Sequence, residues 1–145
     1  MHFFLAGIMQ GSHTEALVHD QDYRTRIVRL LEAHFPGANV YDPRANHAES
    51  LGYDDATGRS VFFRHAEMCR EVDVLLAFVP EASMGTAIEM YEAYHSGAVV
   101  LTITPLAANW VVRAYSHRVL ADIASFEKFL ADGELAQLMD QHKNK

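Results

Sequence analysis

The chain has 145 residues, 50% of them hydrophobic, which is enough for one hydrophobic core and too little for two. A formal net charge of -7 excludes the basic surface that holds polymeric nucleic acid, whereas a single nucleotide remains an acceptable ligand. Cys69 is the only cysteine, which excludes a disulfide framework and a Cys-rich zinc site. No stretch has the length of a membrane span or the pattern of a secretory signal, so we expect a single cytoplasmic domain over residues 1–145 with no membrane partner.

The first half of the chain alternates apolar runs with amphipathic stretches. In chain order it contains a buried strand at 2–8, a helix capped by Asp20 and ended at Pro36, a short strand at 38–41, a loop at 42–58 and a helix at 59–71. The apolar runs indicate strands that are covered on both faces. Residues 42–58 combine turn-forming side chains with no sustained period, which predicts a long functional loop.

The second half repeats this alternation. It contains the most apolar strand at 74–79, a helix at 84–96 closed by Gly97, a strand at 98–104 ended by Pro105, a short strand at 119–123 and one or two closing helices. Strands that alternate with helices of this size favour parallel pairing, with helices on both faces of the sheet. The sequence therefore predicts an α/β protein: a single doubly wound, flavodoxin- or Rossmann-like domain with a five-stranded parallel sheet.

Ligands of such sheets bind beyond the carboxyl ends of the strands, where two loops carry suitable residues. The loop after the first strand offers candidate substrate-binding residues: Gly7, Met9, Gln10, Gly11 and Ser12. After the third strand, Ser83 and Gly85 stand where free N–H groups and the positive end of a helix favour a phosphate or carboxylate. Glu89 follows about one helical turn later, roughly 3.6 residues. Its apolar sequence neighbours are poor in basic partners, and we expect it to project into the crevice.

Two segments resemble the nucleoside 2-deoxyribosyltransferase-like superfamily. DVLLAFVPEASMGTAIEMYEAYHSG (residues 73–97) is similar to its signature region, and FFLAGIMQGS (residues 3–12) is similar to its first strand and loop. By position, Glu89 matches the family's catalytic glutamate, which attacks the anomeric carbon and forms a covalent glycosyl-enzyme intermediate. Ser83-Met84-Gly85 resembles the loop of the members that hydrolyse nucleoside 5'-monophosphates. The resemblance therefore implies an N-glycosidase acting on a nucleotide, without a cofactor.

The sequence departs from the family's pattern at two positions. Phe4 stands where many relatives have a tyrosine, and we interpret it as lining a sugar site that accepts a ribose 2'-hydroxyl. His65 stands where relatives have the aspartate that manages the proton of the leaving base, and a histidine can supply a proton near neutral pH. Residues 105–116 match loosely a loop that reaches into the partner subunit's site. The resemblance thus implies a homodimer with composite sites, in which Asn109 contacts the substrate.

Several alternatives remain open at this stage. A deoxyribosyltransferase on free nucleosides and a nucleotide-binding module without turnover use the same crevice. The same residues also have purely structural interpretations: Glu89 is a solvent-facing helix residue, Ser83 is a helix cap and His65 is a packed helix residue. His47 and His65 each begin the His-x-Glu half of a zinc deaminase motif, but the Pro-Cys-x-x-Cys half is absent. We therefore expect no metal. The sequence also lacks the glycine-rich motifs of ATPases and dinucleotide dehydrogenases.

Overall fold

The computed structural model describes residues 1–11, 13–15 and 17–144. The strands within these residues are β1 His2–Gly7, β2 Asn39–Tyr41, β3 Val74–Phe78, β4 Val99–Ile103 and β5 Arg118–Leu120. The helices are α1 Asp22–His34, α2 Pro43–Asn46, α3 Asp55–Cys69, α4 Met84–His95, α5 Trp110–Tyr115, α6 Ile123–Ala131 and α7 Glu134–Lys143, and a 3-10 turn spans Ser50–Gly52. Among the described residues, no helix is both long enough and apolar enough to cross a membrane.

The five strands form one all-parallel sheet in the order β2-β1-β3-β4-β5. This confirms the predicted α/β architecture and its five-stranded doubly wound sheet. The chain runs outward from β1 to β2 and then returns to the other side of β1 with β3. Strand order therefore reverses between β1 and β3, and the loops that follow these two strands diverge to leave a crevice.

Alternate residues of β1 supply the two apolar layers that cover the sheet. Phe3 and Leu5 face the layer of α1, α6 and α7, whereas Phe4 and Ala6 face the layer of α3 and α4. The second layer contains several small side chains, at positions 6, 77, 93 and 98. Here α3 and α4 pack against each other, and the crevice is lined by Phe62 and His65 of α3 and by the N-terminal half of α4.

The predicted loop at 42–58 is wrong in its extent. Asp42 caps α2 by accepting a hydrogen bond from the Arg44 N–H group at 2.9 Å, and Pro43 supplies the first helical position. Asp54 caps α3 by accepting from the N–H group of Thr57 at 2.7 Å, so this helix begins four residues before the predicted start at 59. Asp42 and Asp54 are therefore helix caps and not loop residues. Sequence patterns do not separate the two, because aspartate is common in both turns and caps.

Three smaller corrections concern helix starts. α1 begins at Asp22 with Gln21 at the cap position, while Asp20 accepts a hydrogen bond from the N–H group of Asp22 at 2.8 Å. The fifth strand ends at Leu120 rather than at 123, because Asp122 caps α6. Residues 105–116, predicted as a loop, contain α5, whose cap is Asn109.

Candidate active site

A cleft of about 370 Å³ lies between the loops that follow β1 and β3. It brings together most of the residues that the sequence singled out: Gly7, Met9, Gln10, Gly11, His65, Ser83, Gly85 and Glu89. α1 contributes Arg24 to the wall, and α3 contributes Phe62. The cleft therefore lies at the switch point of the sheet, where such folds bind ligands.

One wall of the cleft is the N-terminus of α4. Ser83 is its cap: the hydroxyl oxygen accepts a hydrogen bond from the Thr86 N–H group at 3.4 Å and pairs with the Thr86 hydroxyl at 3.0 Å. The N–H groups of Met84 and Gly85 precede the first intrahelical hydrogen bonds and point toward the helix end. A Cβ at Gly85 would meet only the ring of Phe62, at 3.9 Å, so the backbone here is open to the cleft. The helix end is thus suited to an anion.

Glu89 lies one helical turn beyond Gly85 on the same face of α4, and its half-buried side chain lines the cleft. Burial raises the pKa of its carboxyl group to about 8, against the opposing attraction of Arg24. The sequence neighbours of Glu89 are poor in basic residues, but Arg24 from a distant helix lines the same cleft. A carboxylate in a poorly solvated site is a stronger nucleophile than one in water.

Arg24 is the main residue that the sequence interpretation missed. Its side chain is only 3% exposed and shares the buried face of α1 with Ile27 and Leu31. An arginine at helical spacing from two core residues was the available signal, since a buried arginine requires fixed partners. Asp42 is one of them, at 2.9 Å from Nη1.

His65 lies at the boundary between the cleft and a second cavity. This neighbouring cavity of about 340 Å³ is also lined by His47, Tyr53 and Phe62. The Nε2 atom of His65 is 3.1 Å from the hydroxyl group of Tyr41, and Nδ1 of His47 is 2.9 Å from the hydroxyl group of Tyr53. The two imidazole rings are 5.1 Å apart.

Burial, aided by His47, lowers the pKa of His65 to about 4. The imidazole is therefore uncharged at pH 7, and it meets a ligand as a hydrogen-bond donor or acceptor rather than as an imidazolium acid. No group of three His, Cys, Asp or Glu side chains in the described part of the chain is arranged to hold a metal ion.

Two of the described candidate residues do not line the cleft. Phe4 is fully buried behind it, stacked on Tyr41 and edge-on to His65, with ring centroids 5.5 and 5.9 Å away. Asn109 caps α5 and lines a neighbouring apolar cavity of about 390 Å³. Ser12 lies outside the described residues.

The sheet order and the crevice define a doubly wound α/β protein with its ligand site at the topological switch point. Solved structures with the same fold include a 2-deoxyribosyltransferase from Bacillus psychrosaccharolyticus. This enzyme is 18% identical, with a TM-score of 0.66 over 88% of this chain and 90% of that one. A conserved protein from Enterococcus faecalis V583 is 16% identical, with a TM-score of 0.65 over 91% and 98% of the two chains.

The CMP N-glycosidase BcmB from Clostridium botulinum also shares the fold, at 15% identity and a TM-score of 0.55 over 90% of this chain and 98% of that chain. No protein-family model and no curated protein matches the sequence. At these identities the likeness establishes the fold. It confirms, at that level, the resemblance to nucleoside 2-deoxyribosyltransferase-like proteins that the sequence predicted.

Proposed function

We propose that this protein is an N-glycosidase that cleaves the base–sugar bond of a nucleoside 5'-monophosphate, with Glu89 as the nucleophile. One observation carries the proposal: a half-buried carboxyl group shares a cleft with the N-terminus of α4, one helical turn away. The helix end suits a 5'-phosphate, Glu89 then faces the sugar, and the cavity beyond His65 accepts the base. Similarity to a deoxyribosyltransferase and to a CMP N-glycosidase supports this class of chemistry.

The reaction has two steps. A carboxylate oxygen of Glu89 attacks C1' of the sugar, and the C1'–N bond breaks with its electron pair retained by the base, which takes up a proton from the solvent. Water then adds to C1', the ester bond to Glu89 breaks, and the second proton of the water molecule is released. The products are a free base and a sugar 5-phosphate, so substrate and water are fully accounted for.

His65 assists the departure of the base in this proposal. The imidazole is uncharged near neutral pH, and Tyr41 fixes its orientation through Nε2. It therefore acts by a hydrogen bond to the leaving base rather than by giving up an imidazolium proton. Phe4 packs behind this pair and supports the two rings from the core.

A second copy of the chain completes the enzyme. α4 and α5 expose large apolar side chains, with Met84 83% and Trp110 85% exposed, beside the apolar cavity that Asn109 lines. A twofold contact across this face covers these side chains and brings Asn109 toward the partner's cleft. We expect a dimer by light scattering, and Trp110→Glu should convert it to a monomer with intact secondary structure. A wild-type monomer at micromolar concentration would contradict this assembly.

The central test is a panel of ribo- and deoxyribonucleoside monophosphates, with free base measured by chromatography. We expect base release from at least one nucleotide and none from the corresponding free nucleoside, which lacks the phosphate. Base exchange between free nucleosides, without net hydrolysis, would instead identify a deoxyribosyltransferase. Saturable nucleotide binding without any product would identify a binding module and overturn the enzymatic proposal.

A further inference from the structure

The guanidinium group of Arg24 takes the place of a missing stretch of strand. β2 pairs with β1 only as far as Phe4, so the later residues of β1 have no strand on that side. Arg24 donates from Nη1 to the carbonyl oxygen of Leu5 at 3.0 Å and from Nη2 to that of Gly7 at 3.1 Å. These are alternate residues, whose carbonyl groups point to the same edge of a parallel strand. Arg24 therefore seals the end of β1 at the floor of the cleft.

Two more acceptors hold the guanidinium group in one orientation. Nε donates to the side-chain oxygen of Gln21 at 2.7 Å, and Nη1 donates to a carboxylate oxygen of Asp42 at 2.9 Å. Together with the bonds to Leu5 and Gly7, these contacts use four of the five N–H donors of the guanidinium group. The fifth, on Nη2, has no acceptor among the described residues. Because Arg24 also lines the cleft, its fixed positive charge is available to a ligand and to Glu89.

Arg24 is the only lysine or arginine among the described residues that line the cleft. Apart from Asp42, which forms an ion pair with Arg24 at 2.9 Å, the other titratable groups near Glu89 are neutral at pH 7. Tyr23 of α1 and Cys69 of α3 both have a raised pKa, chiefly because they are buried. His65 of α3 is an uncharged imidazole. A 5'-phosphate brought to the N-terminus of α4 adds close to two negative charges, which disfavour ionisation of Glu89.

We infer that Arg24 is a positioning residue for the proposed glycosidase: its buried guanidinium, anchored on the open edge of β1, favours the ionised form of Glu89 that attacks the sugar while a phosphate is bound. This inference rests on the proposed function. It assigns Arg24 an electrostatic role besides its evident structural one. The two roles differ in their pH dependence, because loss of structure lowers the rate at every pH, whereas loss of charge moves the pH at which Glu89 becomes active.

The test compares Arg24→Gln, which retains amide N–H donors but loses the charge, with Arg24→Lys, which retains the charge. Arg26→Met serves as the control, since Arg26 lies on the exposed side of α1, where it pairs with Glu127. Rates of base release are measured against pH with a nucleoside monophosphate that the wild type cleaves. For Arg24→Gln we expect the acid limb to move upward by roughly one pH unit, with a loss of about tenfold at pH 7 that is largely recovered at high pH. Arg24→Lys and Arg26→Met should keep the wild-type midpoint.

An equal loss at every pH, with an unchanged midpoint in folded Arg24→Gln, would overturn the inference. The titration of Glu89 is also followed in the free protein by carbon NMR of its carboxyl group, which needs no turnover. The NMR titration separates the two proposals. If no nucleotide releases a base, the glycosidase proposal fails. If the titration midpoint of Glu89 is the same in Arg24→Gln as in the wild type, the electrostatic role of Arg24 fails. If Arg24→Gln does not fold, Asp42→Asn replaces it; removal of that negative charge should shift the midpoint downward, and an upward shift would contradict the inference.

Discussion

The two halves of α4 place glutamates three residues apart in opposite environments. Glu89, in the half that faces the cleft, has its pKa raised to about 8 by burial. Glu92, in the half that faces α3, accepts a hydrogen bond from Arg70 at 2.7 Å, which lowers the pKa of its carboxyl group. The N-terminal half is open to a ligand, and the C-terminal half is closed by an ion pair at the surface.

This difference shows that solvation and partners, rather than residue type, decide what a glutamate on one helix can do. A solvated, paired carboxylate such as Glu92 is stable and unreactive. A carboxylate that lacks water is held at an energetic cost, and such cost is typical of functional sites. The interpretation of Glu89 as an ordinary solvent-facing helix residue therefore does not fit its surroundings.

Substitution of the two glutamates should give the largest contrast. We expect Glu89→Gln to lower base release by at least about 10³-fold, because an amide cannot form the covalent intermediate. Glu92→Gln should stay within roughly twofold of the wild type, since exposed ion pairs contribute little. Initial rates under saturating nucleotide provide the measurement. Comparable rates for the two variants would remove the distinction between the halves of the helix.

Gly85→Ala examines the anion-binding end of the same helix. The ligand-free protein has room for a methyl group at this position, and alanine favours the helix, so the melting temperature should not fall. A methyl group beside the phosphate should raise KM by about tenfold, with kcat changed much less. The matched control is Gly52→Ala in the 3-10 turn, a position that lines neither the cleft nor the adjoining cavity and where a Cβ meets nothing within 4 Å. An unchanged KM would show that the phosphate binds elsewhere.

A smaller effect is expected on folding stability. The folded-state pKa of Glu89 lies above its ordinary value of 4.5, so the folded protein binds the proton more tightly than the unfolded chain. The associated stability is present below the unfolded-state pKa and is lost as pH rises toward 8. Between pH 5 and pH 8 the wild type should therefore lose about 1 kcal/mol more than Glu89→Gln, after allowance for partial exposure. Urea unfolding at the two pH values measures the free energy of unfolding of both proteins. An equal loss in the wild type and in Glu89→Gln would contradict the raised pKa.

Continuous patterns in the sequence predicted the elements that depend on local chemistry. The apolar run of β3 and the serine cap of α4 both lie where expected, because burial on two faces and helix capping leave direct marks on the sequence. The start of α3 and the end of the fifth strand were misplaced, since Asp54 and Asp122 also suit turns.

The floor of the candidate site depends on partners that are distant in the chain. Arg24 bonds to residues 17 to 19 positions before it and 18 positions after it, so no window of sequence contains the interaction. The burial of Phe4 behind Tyr41 and His65 likewise depends on how three separate elements pack. Only the tertiary structure determines which side of such a wall a residue occupies.

The cleft and its adjoining cavity draw their lining from residues no later in the chain than Glu89. The described segments from β4 onward thus act as scaffold for a cleft that they do not touch. Gly97, in a left-handed turn at φ +87, joins the two parts. Substitutions in the later segments should therefore act on the cleft only through the shared sheet, in which β4 pairs with β3.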